Sequence, residues 1–484
     1  MISLNGMVIL ARNAMQSQQA AVQTTEHNIA NANTPGFTRQ EPVMTTAALI
    51  STPTVIGTSA PVQIGTGVQL SEIKSYRDKF LDARIRKTMQ DLGSLEKQKD
   101  NIDLVEITFN EIEEGTDIHN SLVEFWNAWE TLAQDPTDLS FRVQVKQKAH
   151  NLIGDLKYLY QRLQDMFPDL DDALINEVLK LNSKARSVAE LNTRIVALKA
   201  TGAEPNDLYD RRNLLIEEMS KIADVSVSEL PNGSVNLTIG GIPIVQGSES
   251  FDLITTPPQP GIPIDIRSSL DNSHVSFRGG EIHGMLEFRD KILPDIIRRI
   301  DELTTSLVRE VNGAHKSGYG LDGSTGVPFF SLEDNPDPNI GSDIVCIDGI
   351  TAKLKLSDQI EGDLMKIAAA GKNFQSDNEN ALNMAKLRDK KALSSGQLTY
   401  EAFYNMMVAE VGRIADEISR KSENTQAVLD QLTNRRESIS GVSIDEELTN
   451  MIRYQNVYEA AARLVTTVDE MMDVVVNRMG LVGR

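Results

Sequence analysis

Residues 4–33 read LNGMVILARNAMQSQQAAVQTTEHNIANAN, and the spacing of their apolar side chains predicts a long helix. Apolar residues recur at alternating intervals of four and three, which is the heptad register of a helix that packs along a partner helix. Pro35 disfavours the helical conformation at Thr34, so the helix should end near Asn33. The seam consists of Leu4, Val8, Ala11, Met15, Val22 and Ile29, with the polar Gln18 and Thr25 interspersed.

The C-terminal end of the chain carries a second seam of similar length. At 1.5 Å per residue each terminal helix is roughly 45 Å long. Matched seams at opposite ends of the chain predict an antiparallel pair of coiled-coil helices, over residues 1–33 and 448–484. The second seam consists of Leu448, Ile452, Gln455, Tyr458, Ala462, Val465, Val468, Met472, Val475 and Met479.

The energetics of these terminal helices point to assembly with other subunits. Ordering about 30 residues costs on the order of 30–60 kcal/mol of backbone entropy. Burial of eight seam residues contributes roughly 1.5–3 kcal/mol each, which offsets only part of this cost. A two-helix arm also leaves one flank of each helix unburied. We therefore expect arms that are loose in the monomer and ordered in a stack of subunits. Heptad spacing is also common in monomeric bundles, so by itself it fits both interpretations equally.

Between the terminal helices the sequence predicts a mainly α chain with inserted β domains, an α+β multidomain protein. A helical bundle core is predicted over 34–223, 285–317 and 363–447, with helix breaks at Gly115, Pro136, Pro168 and Gly202–Pro205 and short β pieces over 45–70. Alternating apolar residues around Pro231-Asn232-Gly233 indicate a hairpin at the start of a β domain over 224–284. A helix should follow from Met285 to about Val311, kinked or restarted at Pro294. Residues 318–362 are predicted as a small loop and strand insertion, and the chain from Asp363 onward as helical.

Charge and cysteine content exclude several classes of function. The 484 residues contain 48 Lys and Arg against 69 Asp and Glu, a formal charge of −21. Nucleic acids and anionic membranes both require basic surface, so neither is an expected partner. No apolar run reaches the ~20 residues of a membrane span. The single cysteine, Cys346, lies in the apolar run Ile344–Ile347, where we expect a strand with a packed thiol.

No catalytic or ligand-binding motif in the sequence has the neighbouring secondary structure or residues that its chemistry requires. Residues 318–323, GYGLDG, have dinucleotide-loop spacing, but a helix precedes them and STGVP follows where a helix should begin. The six histidines include no zinc-binding pair on one helix, and no nucleophile elbow is present. We therefore predict a protein that is not an enzyme, with no cofactor, metal or small-molecule substrate.

Several segments resemble the flagellar axial proteins, the family of rod, hook and hook-associated subunits. Residues 28–40, NIANANTPGFTRQ, resemble the N-terminal signature of that family, with Phe37 where Tyr is more usual. The Arg39-Gln40 ending, and GG at 279–280 followed by GMLEFRD at 284–290, are similar to the hook-associated protein 1 branch. The matching signature residues are Asn28, Asn31, Asn33, Gly36, Phe37, Arg39 and Gln40, with Asp445, Glu446, Glu447, Tyr454 and Gln455 near the C-terminus.

The resemblance implies a structural role in the bacterial flagellum, with subunits stacked through coiled-coil termini between hook and filament. It implies export by the flagellar type III apparatus, a secreted location after a cytoplasmic stage, and a C-terminal export chaperone. The implied partners are further copies of this chain, the hook protein and the second junction protein. Two alternatives stay open: another axial subunit (hook, distal rod or second junction protein), or a surface adhesin or enzyme carried on a flagellar scaffold.

Overall fold

The computed structural model describes residues 4–47, 50–51, 63–64, 66–110, 118–257, 262–341 and 344–478. The chain is mainly α with small antiparallel sheets, which confirms the predicted fold class. Its helices are α1 Leu4–Ala30, α2 Lys79–Asn110, α3 Ile118–Gln134, α4 Leu139–Ala200, α5 Asn206–Ile222, α6 Gly280–Glu287, α7 Leu293–Ser317, α8 Ile350–Lys353, α9 Asp358–Gly362, α10 Glu379–Lys386, α11 Tyr400–Ser440 and α12 Ile444–Asp473.

The strands form short antiparallel sheets. β1 pairs with β4, β2 with β3, β9 with β10 and β11 with β12, while β5 to β8 form one four-stranded sheet in sequence order. The strands are β1 Gln40–Thr46, β2 Ile50–Ser51, β3 Gln63–Ile64, β4 Val68–Ser75, β5 Val225–Glu229, β6 Val235–Ile239, β7 Ile242–Gln246, β8 Glu249–Ser250, β9 Leu253–Thr255, β10 Ile266–Ser268, β11 Phe330–Leu332 and β12 Leu354–Leu356.

The two terminal helices pair with each other, as predicted from their spacing. α1 packs along α12, and Asn28 near the end of α1 bonds to Glu447 near the start of α12, so the helices run antiparallel. The β1–β4 hairpin covers another face of α1. We call α1, α12 and this hairpin the terminal arm. The hairpin covers only part of α1, and the flank formed by Ile9, Arg12, Gln16, Gln19, Gln23 and Glu26 is exposed, in line with the expectation that one flank stays unburied.

Two apolar cores hold the rest of the chain. The first combines α3, α7 and the first half of α4 with residues 327–418, and is centred on stacked aromatic rings such as Phe125 and Trp126, whose centroids are 4.9 Å apart. The second combines the later half of α4 with α5, α6 and the strands from β5 to β10. The predicted domain boundaries stay predictions, but the β region shares a core with α4 and α5, so it is not an outlying decoration.

α4 runs for 62 residues and passes through Pro168, where a helix break was predicted. Proline removes one backbone hydrogen bond and costs roughly 3 kcal/mol inside a helix. Leu163 and Leu170, on either side of Pro168, are both buried in the first core. Burying such side chains contributes roughly 1.5–3 kcal/mol each, which outweighs the proline penalty. The breaks at Pro136 and at Gly202–Pro205 are present, while Gly115 lies outside the described residues.

The hairpin predicted around Pro231-Asn232-Gly233 is present as β5 and β6. The following helix begins at Gly280 rather than Met285, at a point where the chain comes close to the C-terminal end of α5. Gly280 has φ +84°, and a Cβ at this position would lie 2.4 Å from the backbone nitrogen of Ala223. A π-helical turn, Phe288–Ile292, separates α6 from α7, so Pro294 lies at the start of a second segment that extends to Ser317.

Two later expectations are wrong. Cys346 does not lie in a strand: Val345 beside it is 62% exposed, and partial burial raises the pKa of the Cys346 thiol to about 11. The chain after Asp363 is not continuously helical, since residues 367–378 and 390–399 are irregular connections. Side-chain hydrogen bonds shape such loops, as where Asp377 accepts from the backbone of Gly371 and Glu379.

Candidate assembly site at the base of the terminal arm

The helices of the terminal arm meet the rest of the chain at a buried polar cluster. The Asn28 amide donates to the carbonyl of Gln40 at 2.8 Å and to Glu447 Oε2 at 2.9 Å, and accepts from the Gln40 backbone N–H at 3.0 Å. Asn28 is 1% exposed and Glu447 3% exposed. One amide thus joins α1 to both β1 and α12. We call Asn28, Arg39, Gln40 and Glu447 the arm base.

Arg39 completes the arm base with charge. Its Nε lies 2.8 Å from Glu447 Oε1, and its Nη1 lies 3.7 Å from Glu446. Burial alone would lower the pKa of Arg39, but the hydrogen bond and negative charge of Glu447 outweigh it, and the pKa is raised. Removing one partner from such a pair leaves the other buried and uncompensated, which is strongly destabilising.

A second set of ion pairs fastens the arm base to α2, α5 and α11. Asp210 on α5 accepts hydrogen bonds from the backbone and hydroxyl of Thr38, at 2.8 and 2.9 Å. Arg77 bonds to Asp82 at 2.5 Å and to Asp210 at 3.3 Å, while Arg436 lies 2.6 Å from Glu217. Burial raises the pKa of Asp210 to about 6, against the opposing effect of its bonds to Thr38.

The signature turn after α1 is shaped by the same contacts. Gly36 has φ +76°, a left-handed conformation that glycine adopts without strain, and its α-carbon faces Leu214 on α5. Phe37 stacks edge-on against His27, with centroids 5.4 Å apart. Asn31 donates to the carbonyl of His27 at 3.0 Å, and Asn33 is exposed. A groove of about 690 Å³ lies between this turn and the α11–α12 connection.

Signature residues in α12 divide between structural and exposed positions. Ser443 caps the helix by accepting from the backbone of Glu446, as expected for a serine before an acidic first turn. Asp445 and Gln455 are exposed, whereas Tyr454 is half-buried, with the guanidinium of Arg453 over its ring at 5.3 Å from the centroid. The signature therefore marks the arm base and the capped start of α12.

The α1 seam is mostly covered. Ala11, Gln18 and Thr25 are buried, and Val8, Met15, Val22 and Ile29 are half-buried, while the side chain of Leu4 lies outside the described residues. The sequence analysis did not anticipate a polar face beside the seam, which binds the hairpin. Ser17 donates to the carbonyl of Val68 at 3.3 Å, and Asn13 to that of Thr66 at 3.4 Å.

The α12 seam differs from the predicted one in its first half. Leu448 and Ile452 are 40% and 58% exposed, and Gln455 is exposed too, so none of them packs against α1. The register is displaced by one residue because the buried Glu447 takes the inward position to reach Arg39. From Tyr458 to Val468 the predicted positions are covered, and Met472 and Val475 are exposed. The covered stripe consists of Glu447, Met451, Tyr454, Tyr458, Ala461, Val465 and Val468, at intervals of four and three.

A second stripe on α12 is apolar and uncovered. It also follows intervals of three and four, about a third of a turn around the helix from the covered stripe. Its large members are well exposed: Leu464 is 42% and Met471 47% exposed. We call this set the open stripe: Val457, Ala460, Leu464, Thr467, Met471 and Val474.

Comparison with known proteins supports the resemblance to flagellar proteins. Residues 102–330 match a family model described as the flagellar hook-associated protein FlgK helical domain. Flagellar hook-associated protein 1 of Bacillus subtilis is 28% identical, with 98% of each chain covered. That of Salmonella typhimurium is 24% identical, over 98% of this chain and all of the relative. The chain is similar over nearly its whole length to flagellar hook-associated protein 1.

The hook-associated protein 1 fold is shared with a solved structure. A flagellar hook junction protein FlgK from Burkholderia pseudomallei superposes with a TM-score of 0.63 at 16% identity, covering 74% of this chain and 100% of that chain. At this identity the match shows the fold alone.

Two further family models fall on the terminal arm of this hook-associated protein 1 relative. Residues 10–38 match a flagella basal body rod protein model, and residues 436–479 match a flagellar basal body rod FlgEFG protein C-terminal model. These ranges contain α1 with its signature turn, and α12 with the end of α11. The parts of the chain that resemble rod proteins are therefore the two helices that meet at the arm base.

Proposed function

We propose that this relative of hook-associated protein 1 is a structural adapter that joins the flagellar hook to the filament through stacked subunits. The open stripe of α12 carries the proposal, because a helix that leaves an apolar face uncovered in the single chain gains stability when another subunit covers it. The arm base supports it as well. Its buried bonds fix the arm at one angle to the cores, as a lattice contact requires.

The partners follow from this arrangement. Copies of this chain would form one layer, with the hook protein on one side and the second junction protein on the other. The seam residues, including Leu448 and Ile452, would then be covered by neighbouring helices in the stack. This role rests on surfaces and requires no catalysis. Among the residues that the structure describes, no cluster of three or more His, Cys, Asp or Glu side chains is suited to hold a metal.

Export to the outside of the cell through the flagellar type III apparatus, with a chaperone on the C-terminal region, is part of the same proposal. The open stripe supports the chaperone, since an uncovered apolar helix needs protection before assembly. In the described part of the chain no helix is long and apolar enough to cross a membrane.

Another axial position, in the hook or distal rod, is the second candidate. The matches of both chain ends to rod models favour it. The match of residues 102–330 to the hook-associated helical domain favours the junction. A deletion experiment separates these candidates.

Deleting the gene is expected to leave cells with hooks but without filaments, and with filament subunit released into the medium. The reason is that subunits exported through the hook have no layer on which to polymerise. Electron microscopy of cells and an immunoassay of the medium measure both effects. Loss of hooks would place the protein in the rod or hook instead, and normal motile filaments would refute an axial role.

Changing the open stripe should block assembly without unfolding the chain. The double variant Leu464→Lys, Met471→Lys puts two charges into the surface that a neighbouring subunit would bury, so filament number in a complementation assay should fall at least about tenfold. The double variant Asn456→Lys, Thr466→Lys adds the same charge to exposed positions of α12 away from the open stripe and should restore filaments. Circular dichroism checks that both fold. Equal complementation by the two variants would refute a role for the open stripe.

A further inference from the structure

A second groove, of about 460 Å³, lies on the far side of the arm base between β4, α5 and the β5–β6 turn. In a chain with a formal charge of −21 this groove is unusual, because it gathers six basic side chains. They are Lys74, Arg77, Lys79, Arg86, Lys199 and Arg212, and the acidic side chains that line the same groove are Glu72, Asp82, Glu204, Asp210 and Glu229.

Arg212 is the most deeply placed of these cations, at 3% exposed. Its Nη1 donates to Asn192 Oδ1 at 3.0 Å and to the carbonyl of Gly233 at 2.7 Å, and its guanidinium lies 5.2 Å from the centre of the Tyr209 ring. Within the described residues its buried Nε has no acceptor, and no carboxylate lies within 4.0 Å. Burial lowers the pKa of Arg212 to about 10. A buried cation without an ion-pair partner is costly, and an anion in the groove would offset that cost.

Arg86 is a second guanidinium without a partner. It is half-buried, and among the described residues it makes no hydrogen bond or ion pair within 4.0 Å. Burial lowers the pKa of Arg86, the negative charges of Asp82 and Glu217 oppose that effect, and Arg77 adds to it by charge repulsion. Burial is also the main cause of the lowered pKa of Arg212, where Glu229 opposes it and Arg77 adds to it. Arg77 is therefore close enough to repel both Arg86 and Arg212.

The acidic side chains of the groove form no ion pair within 4.0 Å with Arg86 or Arg212 in the described part of the chain. Asp82 and Asp210 are both bonded to Arg77, and Glu229 is paired with Lys79. Glu72 and Glu204 are exposed at the rim. Arg86 and Arg212 thus keep unused donors, to which incoming carboxylates could bond.

We propose that this groove binds acidic side chains of a neighbouring protein chain, whose carboxylates bond to Arg86 and Arg212. Guanidinium groups bind carboxylates through paired hydrogen bonds that are stronger than neutral ones. A groove of about 460 Å³ is larger than one small oxyanion needs and falls in the range of sites that hold several connected groups. The choice of a protein carboxylate over a free anion rests on the proposed role in a stack of subunits, whereas anion binding itself does not.

The test is titration of the full chain with a fluorescent peptide of about six glutamates, at about 0.15 M salt, where the Debye length of about 8 Å screens repulsion from the acidic surface. We expect saturable binding, and at least about tenfold weaker binding to the Arg86→Gln variant, because one charged hydrogen bond is lost. Arg86 makes no bond in the described chain, so this variant should keep its fold. Arg413→Gln, on exposed α11, is the control and should bind as the unchanged chain does.

Two further measurements complete the experiment. A peptide of about six glutamines should not bind, since it lacks the charge that the cluster recognises. Inorganic phosphate should compete only weakly; phosphate that binds as tightly as the acidic peptide would overturn the assignment to a protein carboxylate. Equal binding by the unchanged chain and Arg86→Gln, or no binding at all, would overturn the site itself. Neither result bears on hook and filament assembly, which the gene deletion tests.

Discussion

A chain in which Glu447 is replaced by alanine should have a terminal arm that unfolds far more readily than the cores. The substitution leaves Arg39 without its 2.8 Å partner and removes one acceptor from the buried Asn28 amide. Losing one side of a buried pair costs 3–5 kcal/mol, and since Arg39 is about a quarter exposed we expect a loss of about 3 kcal/mol. Amide exchange in α1 and α12 should therefore become roughly a hundredfold faster.

Glu446 is the matched control for this experiment. It precedes Glu447 in the same helical turn, but its side chain is 66% exposed and lies 3.7 Å from Arg39. Exposed pairs of this kind contribute about 0–1 kcal/mol, so Glu446→Ala should leave exchange in the arm nearly unchanged. If both variants accelerated exchange equally, or neither did, the arm base would not be what holds the arm.

Acidification is expected to destabilise the first core through His315. This side chain is fully buried, accepts from the backbone N–H of Ala368 at 2.9 Å and lies 2.7 Å from the carbonyl of Val327. A neutral ring that donates from Nδ1 and accepts at Nε2 satisfies both contacts, whereas a protonated ring cannot accept from Ala368. Burial lowers the pKa of His315 from 6.5 to about 4.

The direction of this pH dependence follows from proton binding at His315. Between pH 6.5 and 4 the unfolded chain binds a proton at His315 and the folded chain does not, so the stabilisation is complete above pH 6.5 and is lost as the pH falls. The loss is about 1.4 kcal/mol per pH unit, or about 3 kcal/mol in all. Urea unfolding of the unchanged chain and of His315→Gln, at pH values from 7.5 to 4.5, measures it. The stability difference between the two should shrink with acidification, and a constant difference would show that His315 does not titrate in this way.

The pairing of the terminal helices could be predicted because heptad spacing is local, and α1 and α12 each carry it within one continuous segment. The register of α12 could not, since it depends on a contact between distant residues. Glu447 is a charged residue, and spacing of apolar side chains assigns it to the solvent side. Only its bonds to Arg39 and Asn28, more than 400 positions away in the chain, place it inside.

Most of the candidate site could not be predicted for the same reason, because its residues are far apart in the sequence. Thr38, Arg77, Asp210 and Arg436 lie on four separate segments of the chain, and each taken alone resembles an ordinary surface residue. Resemblance to a family signature marks Arg39 and Glu447 but gives no information on Asp210. The predicted break at Pro168 is wrong for a related reason, because the packing of Leu163 and Leu170 that overrides the proline comes from other parts of the chain.

α4 has a mechanical consequence. At 1.5 Å per residue its 62 residues form a helix about 93 Å long. The part as far as Leu170 packs in the first core, and the part from Leu174 onward packs in the second. A load applied to either core can therefore pass along a continuous helix backbone. The missing hydrogen bond at Pro168 lies beside the boundary between the two cores. The helix is thus stiff along both halves and most compliant at that section, so bending of α4 is concentrated there.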